Sequence, residues 1–359
     1  MPKTKNTTNW PLVGNENIGD FLLRSVKKAG ISGSYIFSGP DDLGKTTAAR
    51  YFAQVLLCAS IGKAGAKLPC RTCPACKKLS KQPDREEGEK DGKEKIDLGG
   101  YHGDLYLIKK DPEKKNIAIS EVREFIKRMQ MGSFLGNYKV GIIKDADFLS
   151  PEAANALLKT LEEPKKKVVI ILTVTDMEVL LPTIISRSQV LHFTPVPAGK
   201  IQDYLVNELG ISRSAAKNYS RLCLGRPALA VKFAKEKDYY NNYLKLAGQF
   251  LEIISGNINE RLAIVDSIMA KKLAGQAGVK KCENILEIWQ GLARDFILNE
   301  LGHFDLIQNE IKAGEIKSAG ARLKPGQAIK FLTAVKTARK YLEANVNPKL
   351  VLEELVINL

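Results

Sequence analysis

Apolar residues along this chain follow two different periods, and the change falls near residue 195. Before it, short apolar runs at 34–37, 105–108, 140–143 and 168–173 alternate with segments whose apolar positions recur every three to four residues. Runs of that length read as strands buried on both faces, and their alternation with helical patterns predicts a parallel sheet with helices on both faces. The longest apolar run, Val168–Val174, is far shorter than the roughly 20 residues a spanning helix needs, so it predicts a buried strand and no membrane segment. After Pro195-Val196-Pro197 the strand signals stop. Amphipathic patterns at 243–255, 284–301 and 328–344 predict an all-helical second half, and a polar break at Lys235-Glu236-Lys237-Asp238 divides it into a small piece (196–238) and a larger bundle (239–359).

Composition narrows this picture only a little. A chain of 359 residues has room for two or three domains at roughly 150 residues each. Its 55 lysines and arginines against 40 acidic residues give a formal charge of +15, which favours polyanionic partners or nucleotides and serves solubility equally well. Residues 82–100 mix both signs of charge with nothing to bury, which predicts a mobile surface insertion. The start, Met1-Pro2-Lys3-Thr4-Lys5, lacks the apolar core of a secretory signal, so the protein is expected in the cytoplasm.

Two motifs carry chemistry. Gly39-Pro40-Asp41-Asp42-Leu43-Gly44-Lys45-Thr46 fits GxxxxGK[ST], follows an apolar strand and precedes a helical run that begins at Thr47. Gly39 and Gly44 let backbone N–H groups turn inward around phosphates, the helix start adds a favourable dipole, Lys45 supplies a point charge and Thr46 a magnesium ligand. Two carboxylates, Asp41 and Asp42, oppose anion binding unless they point to solvent. The second motif, Cys70-Arg71-Thr72-Cys73-Pro74-Ala75-Cys76, spaces three thiols as CxxCxxC, and Cys58 can complete a tetrahedral set. Four thiolates suit a structural zinc ion because they leave no open position for water.

From Lys139 to Arg187, with the segment NALLKTLEEP (155–164) and Ser186-Arg187-Ser188, the chain resembles the AAA+ subunits of the bacterial DNA polymerase III clamp loader. The phosphate loop, the four cysteines and the helical C-terminal part fit the same family. The resemblance implies an α/β AAA+ P-loop domain over 1–195, with a zinc module at about 58–80 and the charged insertion at about 82–100. It further implies a helical lid (196–238) and an oligomerisation collar (239–359). Implied partners are gamma/tau and delta clamp-loader subunits in a hetero-pentameric ring, the sliding clamp, and primer-template DNA reached through the complex.

Within that family a motor type (gamma/tau) hydrolyses ATP and a stator type generally does not. The motor pattern ends its third strand in adjacent Asp and Glu; without gaps those places fall on Lys144 and Asp145, and a one-residue slip puts them on Asp145 and Ala146. Either register damages magnesium binding or water activation, so little or no ATPase activity is expected from the chain alone. In the lid the motor's arginine position falls on Ala228, with Arg226 two residues away as a substitute, and Thr173 or Thr175 is the candidate sensing residue. Arg187 matches the arginine finger that such subunits offer in trans, with Ser188 in place of the family's cysteine. The implied nucleotide contacts are therefore Gly39, Gly44, Lys45, Thr46, Thr47, Asp145, Thr175 and Arg226, for ATP and magnesium with weak or no hydrolysis. Two other readings compete: an active gamma/tau-type ATPase, favoured by the intact loop, and a stand-alone zinc-containing nucleic-acid-binding protein, which leaves NALLKTLEEP unexplained.

Overall fold

The computed structural model describes residues 10–63, 65–80, 102–133, 137–270, 275–323 and 326–359; the charged run at 82–100 lies outside the described residues. Two compact units divide the chain, Met1–Val196 and Pro197–Leu359.

The first unit is built on α1 (Glu16–Lys27), β1 (Ser34–Ser38), α2 (Lys45–Leu56), α3 (Pro74–Ser80), β2 (Leu105–Ile108), α4 (Ile119–Gln130), β3 (Lys139–Ile143), α5 (Pro151–Glu162), β4 (Val168–Val174), α6 (Pro182–Ile185) and β5 (Gln189–His192). The sheet runs β2-β3-β4-β1-β5 with every pair parallel. Four strands lie where the apolar runs predict them. The fifth, β5, is an addition: its four residues are exposed or half-buried, so this edge strand has no apolar run to announce it.

Side chains leave a strand alternately to its two faces, and both faces here are covered. Tyr35, Phe37, Val140, Ile142, Val169 and Ile171 pack with Leu22 of α1 and Phe52 and Leu56 of α2. Ile36, Ile143, Ile170 and Leu172 pack on the other side with Val122 and Phe125 of α4 and Leu157 and Leu161 of α5. All positions of β1, β3 and β4 are therefore buried, which is why these segments read as continuous apolar runs. Gly141 lets α4 approach β3 closely, because a Cβ there would lie 2.3 Å from Phe125 Cζ. Helix α5 starts where Ser150 Oγ accepts from Ala153 N at 3.2 Å, with Pro151 in its first turn, and it ends two residues before Pro164.

The second unit is helical throughout its described residues: α7 (Ala198–Asn207), α8 (Arg213–Leu222), α9 (Pro227–Lys235), α10 (Lys237–Ser255), α11 (Ile258–Met269), α12 (Gln276–Glu300), α13 (Ala313–Gly320), α14 (Gln327–Glu343) and α15 (Pro348–Ile357), with two short 3-10 turns between α12 and α13. Only Glu236 separates α9 from α10. Trp289 stacks on Phe250 at 5.2 Å in the core, and Phe331 lies 5.2 Å from Phe250 on another side. Asp295 on α12 is fully buried. It accepts from Gln308 N and Asn309 N, both at 2.9 Å, and from Asn309 Nδ2 at 2.7 Å. Tyr243 Oη in turn donates to Asn309 Oδ1 at 2.6 Å, and Gln308 Nε2 donates to the Leu222 carbonyl at 2.9 Å. This node joins α8, α10 and α12 to the turn before α13. Among the described residues no helix is long and apolar enough to cross a membrane.

Candidate functional site

The phosphate loop lies between β1 and α2, at the carboxyl end of the sheet. Its two glycines meet specific demands. Gly39 has φ 141°, and a Cβ there would sit 2.3 Å from the Phe193 carbonyl oxygen; Gly44 has φ 90°, and a Cβ there would meet Leu12 Cδ2 at 2.9 Å. No side chain caps α2, so the N–H groups of its first turn, from Lys45, Thr46 and Thr47, stay directed at the loop. Such N–H groups at a helix start can receive an anion. Lys45 is 5% exposed, and its Nζ is taken up by the loop itself: it donates to the Gly39 and Pro40 carbonyls and pairs with Asp41 Oδ1 at 3.4 Å. Asp41 and Asp42 are both exposed, yet Asp41 turns its carboxylate to Lys45 rather than away from the loop.

Beyond β3 the chain turns at Asp145 with φ 56°, and Asp145 N donates to Thr173 Oγ1 at 3.1 Å. Burial pushes the Asp145 carboxyl above its ordinary range against the opposing charge of Lys144; Asp41 and Asp147 raise it further, and Lys45 opposes them. Asp145 thus feels the charges of the loop across the end of the sheet. Thr173, not Thr175, is the threonine bonded to it. Thr175 is engaged by Asp147 instead, with Thr175 N at 2.9 and 3.0 Å and Thr175 Oγ1 at 2.8 Å from the carboxylate oxygens.

Arg187 follows α6, before β5, at the amino end of the sheet. Its side chain is 36% exposed and its Nη2 pairs with Glu162 Oε1 at 3.0 Å. Arg226 stands just before α9, where Nε donates to the Cys223 carbonyl at 3.1 Å and Nη1 pairs with Glu287; its partners all belong to the helical unit.

Cys58 follows α2, Cys70 and Cys73 precede α3, and Cys76 lies within it. Their four Sγ atoms lie within 4.8 Å of one another, with Cys70 Sγ and Cys76 Sγ 4.0 Å apart. Four sulfurs at about 2.3 Å from one zinc ion stand roughly 3.8 Å apart in a tetrahedron, so the donor set fits. Backbone N–H groups of Ser60, Cys70, Cys73 and Cys76 point at these sulfurs, each at 3.4 Å. The Cys70 thiol is drawn down to about 5, chiefly by Thr72 Oγ1 and the Cys73 N–H. Burial pushes Cys58 and Cys76 up, and a bound zinc ion would take such thiols as thiolates.

Three features escape sequence reasoning. Leu12 covers the loop at Gly44, Glu162 binds Arg187, and Asp147 occupies Thr175. Only Glu162 carries a signal, since it lies inside the NALLKTLEEP segment.

Comparison with known proteins gives a consistent pattern. Residues 14–197 match the family described as DNA polymerase III, delta subunit. The DNA polymerase III subunit delta' of Bacillus subtilis is 26% identical over 341 residues, 94% of each chain. The delta' subunit of Pseudomonas aeruginosa is 32% identical over 154 residues, 43% of this chain and 40% of that protein. The tau subunit of Bacillus subtilis is 31% identical over 190 residues, 53% of this chain and 30% of that protein.

Proposed function

The chain belongs to the DNA polymerase III delta-subunit family, and from this we propose that it acts as a delta-prime-type subunit of a clamp loader. In this reading it is a largely non-hydrolysing stator that offers Arg187 to a neighbouring subunit's ATP while the ring loads a sliding clamp on primed DNA. One contrast within a single sheet carries it. At the carboxyl end, Lys45 is spent on its own loop and Asp41, and β3 is followed by Lys144-Asp145-Ala146, which in neither register supplies the adjacent Asp and Glu of the motor pattern. At the amino end, Arg187 is exposed and ordered.

The strand order and the loop beyond β1 support an AAA+ P-loop domain. Gly39, Gly44, Lys45, Thr46 and Thr47 would hold the phosphates of a nucleotide, which supplies a triphosphate for recognition rather than for turnover here. Anion entry requires Lys45 Nζ to leave the Gly39 and Pro40 carbonyls and Asp41. Asp145 would face such a nucleotide, whereas Thr175 would reach it only by releasing Asp147; Arg226 is held within the helical unit by Glu287 and the Cys223 carbonyl. Cys58, Cys70, Cys73 and Cys76 would hold one zinc ion as a structural cross-link between the end of α2 and α3. The helical unit is read as lid (196–238) plus collar (239–359), docking onto gamma/tau and delta subunits of a five-membered ring, with clamp and primer-template DNA met through the assembly in the cytoplasm.

An arginine supplied in trans contributes about 10³ to 10⁵ in rate by stabilising charge on the transferred phosphoryl group. The test measures ATP hydrolysis by the chain alone and mixed with a gamma/tau-type partner. The expected result is no turnover alone, and partner turnover that falls severalfold or more with Arg187→Ala. A second reading, a gamma/tau-type motor, is favoured by the intact phosphate cradle. Robust turnover by the isolated chain, abolished by Lys45→Ala, would establish it instead.

A further inference from the structure

Arg187 is fixed at both backbone and side chain. Its carbonyl accepts from Ser34 Oγ at 2.7 Å, which ties it to the first residue of β1. Its Nη1 donates to the Thr183 carbonyl at 3.1 Å and to Ser186 Oγ at 3.2 Å, while Nη2 reaches Glu162 at 3.0 Å. Ser188 Oγ closes α6 by donating to the Ile184 carbonyl at 2.9 Å, so the segment carrying the arginine is itself braced. Nε has no acceptor among the described residues.

The two carboxyl-terminal ends that meet here differ in what they offer. Helix α6 provides neutral acceptors for one edge of the guanidinium. Glu162, the last residue of α5, provides the only carboxylate found on it among the described residues. Side chains of both partners remain well exposed, at 36% and 45%, and an ion pair in that setting is weak and exchangeable. A guanidinium already held in one orientation loses less freedom when it meets an anion. A weak carboxylate partner can give way to the more concentrated charge of a triphosphate.

We propose that Glu162 is a positioning residue for Arg187: it orients the guanidinium in the direction in which it is offered and yields it to the neighbour's phosphates. This rests on the reading of Arg187 as a finger in trans, and the test separates the two. In the assembled ring containing the gamma/tau-type partner, Glu162→Gln keeps an acceptor and removes the charge. Its expected effect is a fall in partner kcat of about 3- to 10-fold with little change in KM, because orientation rather than nucleotide affinity is lost. Glu162→Asp, one methylene short, should fall between the two. In an Arg187→Ala background Glu162→Gln should cost nothing more, and its melting temperature should stay within about 2 °C of wild type, as for an exposed pair. If Arg187→Ala lowers turnover and Glu162→Gln does not, the finger stands and the positioning role is wrong. An equal loss from Glu162→Gln in both backgrounds also overturns it, by placing its effect elsewhere. No effect of Arg187→Ala overturns the finger reading and the positioning role together.

Discussion

The cysteine cluster of the first unit, buried at Cys58 and Cys76 and half-buried at Cys70 and Cys73, and the fully buried Asp295 node of the second solve burial in opposite ways. Asp295 is satisfied from within: three N–H donors converge on one carboxylate, and Tyr243 and Gln308 extend the network. The cysteines have donors aimed at their sulfurs, and burial pushes two of the thiols up. A self-satisfied node contributes to folding by itself, whereas a cluster of thiols contributes once a cation replaces their protons. The first kind locks a fold; the second, if it takes up zinc as proposed, would make it conditional on a bound cation.

The largest expected effect tests that condition. Purified chain should carry one zinc ion, measured by atomic emission, and either a strong chelator or Cys76→Ser should remove it. The loss of stability should be on the order of 5 kcal/mol, since metal binding and folding of such modules are coupled, and it should leave the helical unit's Trp289 signal in place. Metal-free chain that unfolds at the same denaturant concentration as untreated chain would erase the contrast between the nodes.

Next comes the self-satisfied node. Asp295→Ala strands two backbone donors and the Asn309 amide in a fully buried site, which should cost about 3–5 kcal/mol. Asp295→Asn keeps one acceptor and should cost about half as much. Urea unfolding read by Trp289 in a Trp10→Phe background measures both, and neither variant should be rescued by zinc.

The smallest effect is a pH dependence. Burial raises the Asp295 carboxyl above its ordinary value of 3.8, against the donors from Gln308 and Asn309. Between 3.8 and that raised value the folded chain retains a proton the unfolded chain has released. The group's contribution is therefore complete below 3.8 and declines as pH rises through the folded value. Urea midpoints of wild type should fall across this interval relative to Asp295→Asn, which has no proton to lose there; parallel curves would mean that the donors cancel burial, and a relative rise that they outweigh it.

These nodes also differ in how visible they were. The cysteines repeat at intervals of three, so local chain geometry brings three of them together and only Cys58 had to be supplied by the turn after α2. Asp295 looks like any charged residue on an amphipathic helix, because its donors lie 13 and 14 residues later and its tyrosine link comes from α10. The same distinction holds at the sheet. Lys45 and its loop were legible as a strand, glycine turn and helix in order, yet the partners of Lys45 and the cover supplied by Leu12 were not. Arg187 was nominated by its motif, while its engagement with Glu162 across 25 residues was not. Thr175 and Arg226 were nominated by position alone, and folding gave each a different neighbour.

By itself, then, the sequence determined four of the five strands, the helical second half, the glycine turn between β1 and α2 and the thiol spacing, because each depends on residues within a few positions of one another. Tertiary structure decided the edge strand β5, the bond of Asp145 to Thr173 and of Asp147 to Thr175, the pairing of Arg187 with Glu162 and the hydrogen bonds that converge on Asp295. Parallel crossovers and helix packing bring these groups together from distant points of the chain, and burial makes their hydrogen bonds and charges matter once they meet.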